Sequence, residues 1–104
     1  MSAIIELSAS NFDETVKSGL VLVDFWAPWC GPCRMLGNIL EKLQREMEGE
    51  FTLAKVNVDE NKELAVRFEV TNIPHIFIFK DGKMVKDFTG IQTQAKLAEA
   101  LREA

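Results

Sequence analysis

From Leu20 to Trp26 nearly every position is Val, Leu or aromatic, with no alternation against polar residues. A strand with one wet face alternates, so this run predicts a strand covered on both faces, near the middle of a sheet. Asp24 is the single charge inside it. Beyond Cys33 the period changes. Met35, Leu36, Ile39, Leu40, Leu43 and Met47 recur at spacings of three and four, while Arg34, Glu41, Lys42, Arg45 and Glu48 fill the opposite side. That is the pattern of a long amphipathic helix, stopped by Gly49. Phe51 to Val58 reads as a second buried strand, and Asn61 to Phe68 as a short helix turning Leu64, Ala65 and Phe68 inward.

The remaining elements are shorter. Ile4 to Leu7 is a strand candidate; Ser10, with Asp13 three residues on, predicts a cap for a helix that carries Phe12 and Val16 and ends near Gly19. Ile76 to Phe79 and Met84 to Phe88 flank Lys80-Asp81-Gly82-Lys83, where Asp-Gly predicts a tight antiparallel hairpin. Gly90 breaks the chain, Thr93 caps, and Ala95 to Arg102 forms a last helix with Leu97 and Leu101 toward the sheet. Strand, helix and strand in succession imply a right-handed parallel crossover. No linker, repeat or low-complexity tract interrupts the chain, so residues 1–104 are expected to form one α/β domain, a mixed sheet with helices on both faces.

Composition narrows the functional classes. Hydrophobic residues at 47% and charged residues at 27% are ordinary globular usage, which excludes disordered and fibrous chains. The net charge is −4 with the two signs interleaved, so no basic stripe is available for phosphates and nucleic acid is not an expected partner. The uncharged stretch near the start, Ala3 to Ile5, is far shorter than a signal-peptide core, and nothing approaches a membrane span. The expected location is the cytoplasm. Its two cysteines, Cys30 and Cys33, are too few for a disulfide scaffold and too close for a long-range staple. In a reducing compartment such a pair is half a metal site or a working redox couple.

The segment Phe25-Trp26-Ala27-Pro28-Trp29-Cys30-Gly31-Pro32-Cys33 runs from the end of the central strand into the long helix. Open parallel sheets place their working sites at that edge. Pro32 suits a first helical turn, and Gly31 is expected to let the backbone turn tightly behind Cys30. Cys30 then lands at the helix N-terminus, where unpaired amides and the helix dipole favour a thiolate. Such placement supplies up to about 2 kcal/mol, enough to bring a thiol from its usual ~8.5 toward neutrality. Cys33, one turn deeper, is expected to be less exposed and less ionised. Zinc is the competing use of the pair, but a tetrahedral site usually takes four ligands and only His75 remains as a third.

Trp29-Cys30-Gly31-Pro32-Cys33 resembles the active-site motif of the thioredoxin family, and the likeness covers nearly the whole chain. Asp24 and Phe25 ahead of the motif, Lys55, Asn57 and Asp59 on the next strand, Ile73-Pro74, Gly82 and Gly90 also fit that pattern. The resemblance implies the thioredoxin fold, a central mixed five-stranded sheet flanked by four helices. It further implies a monomeric general reductase of disulfides in protein substrates, recharged by a thioredoxin reductase and needing no metal or organic cofactor. In that chemistry Cys30 attacks a substrate disulfide and Cys33 resolves the mixed disulfide. Cys33 must lose a proton to do so, and Asp24 is the candidate base because burial within its apolar run would raise its pKa. An aspartate in a strand can equally face water; the resemblance places it behind Cys33, with Lys55 beside it. The same likeness assigns Trp29, Gly31, Pro32, Ile73, Pro74, His75 and Gly90 to the substrate surface and makes the Ile73-Pro74 bond cis. An extended substrate segment would pair there with the Ile73 backbone.

Three positions depart from the family pattern. Arg34 replaces a common lysine, keeping the charge but changing donor geometry. Gly37-Asn38 stands where most relatives have a helix-bending proline; both are poor helix formers, so a bend or fray is expected there. His75 replaces a usual threonine after Pro74, which would bring an imidazole close to the sulfurs, either as a tolerated groove substitution or as a cation favouring the Cys30 thiolate. Two other functional readings stand beside the reductase. One is a binding scaffold in which the cysteines idle; the other is an oxidant or isomerase, against which the Gly-Pro spacer, the acidic balance and the missing export signal argue.

Overall fold

The computed structural model describes residues 3–104. In chain order the elements are β1 (Ile4–Glu6), α1 (Phe12–Val16), β2 (Leu20–Trp26), α2 (Gly31–Glu46) and β3 (Thr52–Asn57), followed by α3 (Lys62–Arg67), β4 (His75–Lys80), β5 (Lys83–Thr89) and α4 (Gln94–Glu103). They build one five-stranded sheet in the order β1-β3-β2-β4-β5. β1, β3 and β2 are parallel; β4 runs antiparallel to β2, and β5 antiparallel to β4.

β2 is the middle strand, and its missing alternation has a direct cause: both of its faces are covered. Leu22 packs with Leu36, Leu40 and Leu43 of α2 and Leu97 and Leu101 of α4. Val21, Val23 and Phe25 point the other way, into Phe12, Val16, Leu64, Phe77 and Phe79. Each such side chain contributes roughly 1.5–3 kcal/mol on leaving water, so the two layers rather than local propensity hold the helices in place.

The expected fray is not found: α2 is unbroken through Gly37 and Asn38. Leu36, Leu40 and Leu43 on either side are all buried against the sheet, and that packing outweighs the poor propensity of two residues. The first helix also differs from expectation. Asn11, not Ser10, occupies the cap position, and its Oδ1 accepts the Ser8 amide at 2.8 Å, closing the loop ahead of the helix instead of capping it. Thr93 does cap α4, its hydroxyl accepting the Lys96 amide at 3.1 Å.

At the hairpin Asp81 and Gly82 have φ values of 50° and 87°, the left-handed pair that a two-residue turn matched to sheet twist requires. The turn is also fastened to the start of β2. Gly19 donates its amide to Asp81 Oδ1 at 2.8 Å, and the Asp81 amide donates to the Gly19 carbonyl at 2.9 Å. Past the hairpin β5 does not follow simple pairing. Phe79 pairs with Met84 but Ile78 pairs with Lys86, so Val85 is an extra residue that shifts the register of everything beyond it.

Candidate active site

β2 ends at Trp26, and a short turn, closed by the Cys30 amide donating to the Ala27 carbonyl at 3.1 Å, delivers Cys30 to the N-cap of α2. Its backbone is extended, and its Sγ accepts the Cys33 amide at 3.1 Å. That amide is one of the donors left free at any helix start, so the sulfur occupies the place of a capping oxygen. Cys30 and Cys33 are joined as a disulfide across a Cα–Cα distance of 5.2 Å. The expected difference in exposure is small in this oxidised state, 5% for Cys30 against 2% for Cys33. What separates the two sulfurs is the amide aimed at one of them.

Gly31 corrects a sequence expectation. It opens α2 without a positive φ, so no tight turn demands a glycine, and a Cβ there would meet nothing within 4 Å. Pro32 sits in the first helical turn as expected. Trp29 stands 68% exposed beside the disulfide, with its indole N–H donating to Asp59 Oδ2 at 3.0 Å. Arg34 reaches back and donates to the Pro28 carbonyl at 3.0 Å, bracing the loop that carries Trp29. The Ile73–Pro74 bond is cis, and Ile73 packs against Ala27, Cys30 and Cys33. The Gly90 amide donates to the Pro74 carbonyl at 2.8 Å, tying this loop to the end of β5.

Asp24 is fully buried and, among the described residues, neither carboxylate oxygen has a hydrogen-bond partner. Burial therefore pushes its pKa up to about 7, with the Lys55 charge pulling the other way. Lys55 faces Asp24 across the β2–β3 pair and lies over the Trp26 ring, 4.5 Å from its centroid. A cleft of about 280 Å³ beside them is lined by Trp26, Cys33, Arg34, Gly37, Asn38, Glu41 and Lys55. Cys33 and the ammonium that offsets Asp24 thus share one small polar space.

His75 lies on the other side of the sheet from Asp24. Its antiparallel neighbour is Phe25, its ring stacks on Phe77 at 4.2 Å between centroids, and its Nε2–H donates to Asp87 Oδ2 at 2.8 Å. Among the described residues it forms no hydrogen bond to either sulfur. The structure therefore brings Cys30, Cys33, Trp29, Gly31, Pro32, Ile73, Pro74 and Gly90 to one edge and sets Asp24 and Lys55 behind it. His75 belongs to the supporting layer. Sequence reasoning gave no role to Asp59 or Asp87 as partners of Trp29 and His75, because both contacts join residues far apart in the chain.

Among the described residues no group of three or more His, Cys, Asp or Glu is placed to hold a metal ion, and no helix is long and apolar enough to cross a membrane.

The thioredoxin family model matches residues 3–103. A thioredoxin of Staphylococcus haemolyticus (strain JCSC1435) is 48% identical over 99 residues, which cover 95% of this chain and 95% of the relative. One from Staphylococcus saprophyticus is 45% identical over 101 residues, covering 97% of each chain, and one from Staphylococcus aureus (strain Mu50) is 46% identical over 99 residues, covering 95% of each. A match along almost the full length of chain and relatives, joined to a disulfide at the start of α2, leads to one conclusion: the chain belongs to the thioredoxin family and is a thiol–disulfide oxidoreductase.

Proposed function

We propose that the reaction runs in the reducing direction on disulfides of protein substrates, with Cys30 attacking and Cys33 resolving. The observation that carries the roles of the two cysteines is the Cys33 amide aimed at Cys30 Sγ, which favours an anion on the outer cysteine, and the likeness to thioredoxins supports the reducing direction. In the reduced protein, Cys30 thiolate attacks one substrate sulfur; a mixed disulfide forms and the other substrate sulfur leaves as a thiolate that takes up a proton. Cys33, once deprotonated, attacks Cys30 sulfur. The mixed disulfide breaks, the second substrate thiol is released, and two electrons have passed from the Cys30/Cys33 pair to the substrate.

Asp24 is the base for the second step. A carboxyl titrating at about 7 can accept a proton near neutral pH and return it when the pair is reduced again, and Lys55, which faces Asp24 across the strand pair, lines the same cleft as Cys33. Lys55 keeps the carboxylate form accessible. Trp29, Gly31, Pro32, Ile73, Pro74 and Gly90 form the surface on which an extended substrate segment lies, paired with the Ile73 backbone. His75 lies in the layer that supports that surface. Re-reduction of the oxidised protein calls for a partner of the thioredoxin reductase kind. Residues 1–104 act as one domain, as a monomer and in the cytoplasm, in keeping with the acidic balance and the lack of a long apolar helix among the described residues.

Insulin disulfide reduction by dithiothreitol tests the core of this. The native protein is expected to accelerate it and Cys30→Ser to fall to the rate of dithiothreitol alone. Equal, slow rates would favour a scaffold with idle cysteines.

A further inference from the structure

We infer that the His75–Asp87 pair is a clamp that sets the position of the Ile73–Pro74 segment, which makes His75 a positioning residue for protein substrates and not a group that acts on sulfur. This rests on the substrate surface proposed above and names what holds it.

Four contacts converge on the start of β4. The Gly90 amide holds the Pro74 carbonyl at 2.8 Å, and His75 pairs with Thr89 in the β4–β5 ladder. The imidazole lies nearly parallel to the Phe77 ring, at 18°, and its Nε2–H donates to Asp87 at 2.8 Å. Ile73, two residues earlier, packs both on the cysteine cluster and on the aromatic layer containing Phe77. The clamp therefore joins the edge strand, the aromatic layer and the loop touching the disulfide.

The bulge at Val85 makes the clamp possible. Continued without it, the pairing of Phe79 with Met84 would set Asp87 opposite Ile76, on the α2 side of the sheet. The extra residue sets Asp87 opposite Phe77, on the same face as His75 and one diagonal step away. The His75 side chain is 12% exposed and that of Asp87 48%, so the bond is sheltered on one side. A substrate strand that docks on Ile73 needs that backbone already in place, and ordering a loose loop on binding costs affinity. A small disulfide that needs no strand pairing does not draw on it.

The test compares native protein, His75→Phe, Asp87→Ala, Asp87→Asn and the double variant His75→Phe/Asp87→Ala on two substrates, insulin and the small aromatic disulfide 5,5′-dithiobis(2-nitrobenzoate). His75→Phe keeps the stack and loses the donor; Asp87→Asn keeps an acceptor. The expected result is a KM for insulin raised about three- to tenfold in His75→Phe and Asp87→Ala, with kcat unchanged, near-native behaviour in Asp87→Asn, and no further loss in the double variant. Rates with the small disulfide stay native throughout. Amide exchange supplies a readout independent of activity: Gly90, bonded to Pro74, exchanges faster in His75→Phe and Asp87→Ala while Leu40 in α2 does not. Native KM and native Gly90 exchange in both single variants would overturn the inference. So would equal losses on both substrates, which would place His75 at the sulfur. An inactive native protein would instead refute the reductase reading and leave the exchange difference intact.

Discussion

Asp24 and Lys55 are opposite each other on adjacent parallel strands, yet no hydrogen bond joins the ammonium to the carboxylate and the carboxylate is left without any partner in the described structure. Lys55 turns instead over the Trp26 ring. An ammonium held at that remove offsets only part of the cost of burying the charge, so Asp24 stays near the midpoint of its titration at neutral pH.

The stability of the oxidised protein should therefore depend on pH in a stated direction. The folded-state pKa is raised from 3.8 to about 7, so between those values the native state holds a proton that the unfolded chain has lost. Stability is fully present below pH 3.8, falls as pH rises and levels off above 7. About three pH units at ~1.36 kcal/mol each make the difference on the order of 4 kcal/mol. Asp24→Asn should remove this slope and raise stability at pH 8, measured by urea denaturation from pH 4 to 8. An equal slope in the variant would mean that another group is responsible.

Lys55→Met should push the Asp24 titration higher still, because the one favourable charge on the carboxylate is gone. The proposed base would then be protonated at neutral pH, and the acid limb of the insulin-reduction profile should move to higher pH by the same amount. Infrared titration of the carboxyl band reports the pKa directly; an unmoved band would show that Lys55 does not bear on Asp24.

Cys33→Ser should stop the reaction halfway. The mixed disulfide between Cys30 and substrate forms but cannot be resolved, so a covalent complex accumulates that dithiothreitol dissolves. Mass spectrometry of the trapped product should locate the bond at Cys30. A bond elsewhere would reverse the roles given to the two cysteines.

Two glycines should respond in opposite ways to alanine. At Gly37 a Cβ would meet only the Lys55 Nζ, at 3.8 Å, inside an intact helix, so Gly37→Ala should stabilise by about 0.5–1 kcal/mol. At Gly82 the φ of +87° is left-handed and a Cβ would lie 3.4 Å from the Lys17 carbonyl oxygen, so Gly82→Ala should destabilise by about 1 kcal/mol or more. Thermal unfolding of both variants reads the sign. A destabilised Gly37→Ala would mean that the Lys55 position tolerates no neighbour.

Much of this protein was legible in its residues. The unalternating run Leu20 to Trp26 located the middle strand, because a strand buried on both faces must be apolar throughout. Asp81-Gly82 located the hairpin, because few residues other than Asn, Asp and Gly take left-handed φ without strain. The short segment from Trp29 to Cys33 placed a sulfur at a helix start, a matter of local geometry alone. Three features waited for the folded chain. The continuity of α2 through Gly37 and Asn38 comes from leucines packing on a sheet built by distant strands. The layer that Asp24 enters depends on which face of β2 meets α2, and no count of spacing within β2 reports that when both faces are apolar. The partner of His75 depends on one extra residue at Val85, whose register shift turns Asp87 from one face of the sheet to the other. Local chemistry decides elements and caps, whereas the side a group faces and the distant charge it meets are set only when the layers close.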